Sequence, residues 1–238
     1  MSIIRISSVT AVILTAFAPM AWSHSDADPV VSMFAANQFE LLADGHGVGI
    51  GWDIDAWLGR DLEKLWIKSS GDHSHSDGAP QRSELEVLYS KGIATYWDVQ
   101  AGWRGDFTDT EDRHWFALGL QGLAPYFFET ALTFYIGDQG QTALRINIEY
   151  ELLITQKLIL TPELGANIYG RNDPQTETGS GLADIEIGLR LRYEFTRKFA
   201  PYIGVSYHKE NGKTADYKRN AGKHTEELSL VMGLRFWF

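Results

Sequence analysis

The sequence contains no cysteine, which removes disulfides, thiolate metal sites and cysteine nucleophiles together. A chain exported without such staples must hold its fold by hydrogen bonding and packing. It also lacks any basic patch. Lys and Arg number 21 against 31 Asp and Glu, a formal charge of −10, and the cations are scattered singly among acids. Such a surface cannot neutralise a phosphate backbone, so no nucleic-acid partner is expected. Long hydrophobic runs are missing as well. The longest, Val9 to Ala18, falls short of the roughly 20 apolar residues that a spanning helix requires.

That one run has another meaning. Arg5 is the only charge before Asp26, and Ala21-Trp22-Ser23 puts small residues at the −3 and −1 positions of a cleavage site before His24. Residues 1–23 are therefore expected to be a cleaved signal peptide, and the protein to be exported.

What is abundant is aromatic residues and glycine: eight Trp, ten Tyr, twelve Phe and 23 Gly. Apolar and polar residues alternate with a period of two. Leu144, Ile146, Ile148, Tyr150 and Leu152 alternate with Arg145, Asn147, Glu149 and Glu151, and Ile185 to Phe195 repeats the pattern. A strand sends every charge of such a segment to one face, whereas a helix would scatter them. Full charges recur on the polar face of strand after strand, and aromatics cluster near strand ends, as in Tyr126-Phe127-Phe128 and Phe236-Trp237-Phe238.

Twelve strands are predicted, over 38–44, 48–57, 62–69, 82–90, 95–106, 114–121, 126–136, 142–153, 158–169, 182–195, 200–209 and 227–238. Short turns alternate with longer loops at 70–81, 107–113, 170–181 and 210–226, with two tight exceptions at 45–47 and 137–141. The expected fold is all-β, a closed antiparallel transmembrane β-barrel of about twelve strands over 38–238, preceded by a short periplasmic segment, 24–37. Closure removes the two sticky edges, and an even strand count returns both ends to the periplasm. The apolar face meets outer-membrane lipid. The lumen is expected to hold the acids Asp53, Asp55, Glu84, Glu86, Asp98, Glu129, Glu149, Glu151, Glu163, Asp184, Glu186 and Glu194. Lys64, Lys68, Arg104, Arg145, Arg190, Arg192 and Arg235 stand against them.

Longer runs carry a resemblance. Gln121 to Glu129, Glu149 to Leu160, Gly179 to Leu182, Gly188 to Glu194, Phe199 to Val205 and Thr214 to Asp216 resemble the copper resistance protein B family, over about residues 33–238. The resemblance implies a Gram-negative outer-membrane barrel that contributes to copper tolerance beside periplasmic copper-handling proteins. Members often carry a Met- and His-rich segment before the barrel. Here 24–37 offers one His and Met33.

The candidate copper ligands are His24, Met33, His73 and His75. His73 and His75 stand two residues apart in the predicted loop 70–81, where imidazoles can chelate Cu(II) or Zn(II). Cleavage after Ser23 leaves the His24 amine and imidazole together. The acidic lumen favours a cation as ligand or cargo. An envelope barrel or a small-cation pore without direct copper contact stays open as an alternative. No enzyme is expected: His73-Ser74-His75-Ser76 has hydrolase residue types but no rigid neighbour, and Gly45 to Gly51 opens no helix.

Overall fold

The computed structural model describes residues 28–45, 47–74, 82–108 and 112–238. Residues 1–23, expected above to be a signal peptide, lie outside them, as do His24 and His75. The strands are β1 (Val31–Ala43), β2 (Val48–Gly59), β3 (Glu63–Ser74), β4 (Arg82–Ala94), β5 (Trp97–Thr108), β6 (Arg113–Ala124) and β7 (Phe128–Gly137). There follow β8 (Thr142–Glu149), β9 (Leu152–Leu153), β10 (Leu158–Tyr169), β11 (Gly181–Tyr193), β12 (Phe199–Glu210) and β13 (Glu226–Trp237). β9 continues β8 after a break at Tyr150–Glu151, and both pair with β10, so the chain crosses twelve times. Every neighbour is antiparallel, and β13 pairs with β1 to shut the sheet into a barrel. Closure leaves no unpaired edge.

The period of two sorts the side chains as the sequence demands. Phe39, Leu41, Ile187, Ile203, Leu230 and Met232 stand exposed on the outer wall, while Glu40, Glu84, Arg104, Arg190 and Arg192 are buried inside. A soluble sheet would invert this arrangement, so the outer wall suits acyl chains. The first described residues and the C-terminal Phe238 lie at the same end as most of the short turns. The longer connections lie at the other and include a helix, α1 (Gly212–Asn220), in the predicted loop 210–226.

β1 begins at Val31, seven residues ahead of the expected start at 38, and runs along β2 from Val31↔Gly59 onward. A bulge at Asn37 hides this from the alternation. Ser32, Phe34 and Ala36 share a face with Leu58, Ala56 and Ile54. Beyond the bulge that face passes to odd numbers, Phe39 and Leu41. A one-residue insertion flips the parity and re-aims a side chain. The strand thus takes in 31–37, most of the segment expected to precede the barrel. β3 likewise runs on to Ser74 through residues predicted as loop.

Not every inward residue is polar. Leu88, Trp115, Ala117, Tyr135 and Ala143 form a buried cluster, with Trp66 and Tyr169 packed against it. Tyr135 and Leu88 are each 2 % exposed, so this section of the lumen is filled with side chains.

Candidate functional site: an acid-lined chamber

Beside the filled section the lumen opens into a chamber of about 560 Å³, bordered by Asp53, Asp55, Glu129, Glu149, Glu163 and Glu186. Lys68, Arg190, Arg192 and Arg235 also reach it. The wall comes from facing strands in register. Glu129 of β7 lies opposite Glu149 of β8, which lies opposite Glu163 of β10. Like charges directly opposite repel, so this row needs positive charge nearby.

Glu163 finds it. Arg190 grips Glu40 with two nitrogens, at 3.1 and 2.9 Å, and bonds Glu163 with a third. Gln38 joins both, accepting from Arg190 at 3.3 Å and donating to Glu163 at 2.9 Å. Tyr202 donates to Glu40 at 3.0 Å. The absent side chain of Gly233 makes this possible, since a Cβ there would strike the Tyr202 hydroxyl. Nearer the short turns, Arg192 and Arg235 share Glu151 at 2.8 and 3.0 Å.

Near the filled section, Arg145 clasps Glu84 at 2.7 and 3.1 Å, and Arg104 meets the same carboxylate at 2.9 Å. Arg104 stacks 4.6 Å from the Tyr135 ring, whose hydroxyl donates to Glu86 at 2.7 Å. Fork-shaped guanidinium–carboxylate contacts of this kind fix side chains as well as charge.

Five carboxylates of the chamber stand outside these pairings, one of them Glu186, which accepts from Ser206 at 3.0 Å. Asp53, Asp55, Glu129 and Glu149 have no ion-pair partner within 4.0 Å among the described residues. The bulged Asn37 amide serves two of them, donating to Asp55 at 3.0 Å and to Asp53 at 3.4 Å. Lys68 turns instead to Gln121 at 2.9 Å. Asp53 lies within electrostatic reach of Glu149 across the lumen. Thr161, 3 % exposed, adds a hydroxyl without a protein partner to the wall.

The predicted ligands are not gathered here. Met33 pairs with Trp57 at the short-turn end, on the lumen face. His73 pairs with Ile50, on the outer face at the long-loop end, where it is exposed. Seven residues of β2 separate those levels, about 23 Å at 3.3 Å per residue. Among the described residues no three His, Asp or Glu side chains stand close enough to hold a metal ion. The chamber as it stands is an electrostatic well, not a coordination cage. Glu40 is absent from the set assigned above to the lumen, although Phe39-Glu40-Leu41 carries the alternation that marks it.

The longer loops are tied down over the other end. Arg113 of β6 holds Asp173 at 3.0 Å and Gln175 at 2.9 Å, so loop 170–180 reaches three strands round from β10. Burial opposes the Asp173 charge, but the Gln175 amide and the Arg113 guanidinium hold its carboxyl below the ordinary range. Thr214 of α1 accepts from the Gly179 amide at 2.9 Å, and Lys223 meets Glu177 at 2.8 Å.

The family profile described as Copper resistance protein B precursor matches residues 30–238. The chain belongs to the copper resistance protein B family. A relative from Pseudomonas syringae pv. tomato, named Copper resistance protein B homolog, is 42 % identical over 207 residues, covering 87 % of this chain and 70 % of that one. The Copper resistance protein B of Escherichia coli is 39 % identical over 202 residues, 85 % of this chain and 68 % of its own. Among solved structures, the NanC porin aligns with a TM-score of 0.56 at 15 % identity, covering 87 % of this chain and 99 % of that one. The KdgM porin aligns over the same shares with a TM-score of 0.52, also at 15 % identity. These likenesses carry the fold. This copper resistance barrel resides in the outer membrane; barrels of that class set short turns in the periplasm and longer loops outside.

Proposed function

We propose that the barrel contributes to copper resistance by holding copper ions in its acid-lined chamber and passing them across the outer membrane. The observation that carries this reading is the set of five carboxylates, Asp53, Asp55, Glu129, Glu149 and Glu186, that line one cavity with no ion-pair partner among the described residues. The lumen's arginines are committed to other acids, so an entering cation relieves the repulsion between Glu129 and Glu149. Capture at the rim by His73 and His75, and at the mature end by His24 and Met33, forms part of the same proposal. So does exchange with periplasmic copper-handling proteins.

Purified protein reconstituted into copper-loaded liposomes tests it. Efflux should exceed that of protein-free liposomes and fall in the double variant Glu129→Gln, Glu149→Gln. No efflux above the protein-free control overturns passage. The filled section around Trp115, Leu88 and Tyr135 favours a second reading, an envelope barrel without copper flux. It predicts copper sensitivity on deletion alongside silent liposomes.

A further inference from the structure

The long-loop half of the lumen carries an imidazole that the chamber does not use. His208 of β12 lies directly opposite Glu186 of β11 and directly opposite Glu227 of β13. The three residues therefore form one row, Glu–His–Glu, across three adjacent strands. All three share the lumen face with Ser206, which donates to Glu186 at 3.0 Å. Directly opposed side chains on neighbouring strands have Cβ atoms about 4.5–5.5 Å apart. Asp184 and Glu210 oppose each other in the adjacent row, and His208 lies in the fields of Asp184, Glu210 and Glu186. Lys218 of α1 faces this group, 3.6 Å from Glu210.

We propose that His208, with Glu186 and Glu227, forms a site for a divalent transition cation at the long-loop entrance to the chamber. A neutral imidazole nitrogen beside carboxylate oxygens suits Cu(II) or Zn(II). Cu(I) prefers sulfur, and none is in the row. Negative charge on both sides of the ring favours metal entry. Each ligand now rests on a weak protein partner that the metal replaces. The His208 Nε2 atom stands 3.5 Å from Glu210, Glu186 accepts from Ser206, and Glu227 accepts from Ser229 at 3.0 Å. As they stand the three side chains do not meet at one point; the incoming ion draws them together by side-chain rotation. Glu186 also borders the chamber, so an ion released inward passes directly to the acid-lined cavity. The site deepens the copper-handling reading and rests on it for its cargo.

The test uses the full chain in detergent, with His24, His73 and His75 replaced by Ala to silence those candidate ligands. Cu(II) is added and read by electron paramagnetic resonance, and Zn(II) by calorimetry. One equivalent of Cu(II) should bind with nitrogen hyperfine splitting. His208→Ala should abolish the splitting and weaken both metals by more than about tenfold, a loss that even outer-shell changes can cause. Glu227→Gln, which keeps the imidazole and the row, should weaken binding while retaining the splitting. Heat-modifiable migration on gels confirms that each variant is folded. Binding and splitting unchanged in His208→Ala overturn the site even where copper efflux from liposomes persists. Binding at His208 without efflux supports the site and sinks passage instead.

Discussion

Arg190 shows what a single side chain does inside this barrel. It is 4 % exposed and its guanidinium joins Glu40 of β1 to Glu163 of β10. Removing one partner of a buried ion pair strands the other charge and costs about 3–5 kcal/mol. Arg190→Ala leaves two carboxylates stranded, so its unfolding free energy, read from urea titration, should fall by an amount in that range. Replacing Arg190, Glu40 and Glu163 together with apolar residues of similar volume should cost far less, because no ion is then left unpaired. At this scale the sequence was largely legible. Alternation around Ile185 to Tyr193 already sent Arg190 inward, as it did Glu149 and Glu163. Partner choice was not legible, because Glu40 and Arg190 are 150 positions apart and meet only through the curvature of the sheet. The inward aromatics were hidden for a different reason. The period of two assigns apolar residues to lipid, and Trp115 and Tyr135 violate it where the lumen is filled from within.

The elements were readable wherever hydrocarbon imposes alternation and unreadable beyond it. All twelve crossings were anticipated, several with ends within one or two residues. The exceptions have physical causes. The bulge at Asn37 inverts the parity of β1, and Ser70 to Ser74 extends β3 above the apolar belt, where no pattern is enforced. The helix α1 was missed because its nine residues, mostly polar, have no apolar stripe to betray it. Loop 170–180 was placed correctly, but its latch on Arg113 was not foreseeable. That latch responds to acid in a defined direction. Asp173 titrates below its ordinary value in the folded state. The contribution is therefore complete above the ordinary carboxylate range and is lost as pH falls through the depressed value. Limited proteolysis of the loop should be indifferent to pH between about 7 and 5 and accelerate only in stronger acid. At neutral pH, Asp173→Asn should already be cleaved several-fold faster.

For the molecule as a whole, closure is the decisive event. β1 must supply its full length, because Val31 to Ala36 pair with Ile54 to Gly59 of β2. A chain beginning at 28 should fold into a barrel that migrates anomalously until heated. One beginning at 38 should not, since unpaired backbone groups facing lipid each cost several kcal/mol. The second chain also loses Asn37, the amide that steadies Asp53 and Asp55.

The reach of Arg190 has a wider consequence. On an unrolled sheet Arg190 of β11 and Glu40 of β1 would face the same way yet never touch. Bending the sheet into a tube is what lets them neutralise each other, so a half-curled intermediate carries its full electrical penalty and gains little relief. Charge placement along the chain thereby selects one circumference, and a strand added or lost would leave ions stranded as surely as it would leave amides unmatched.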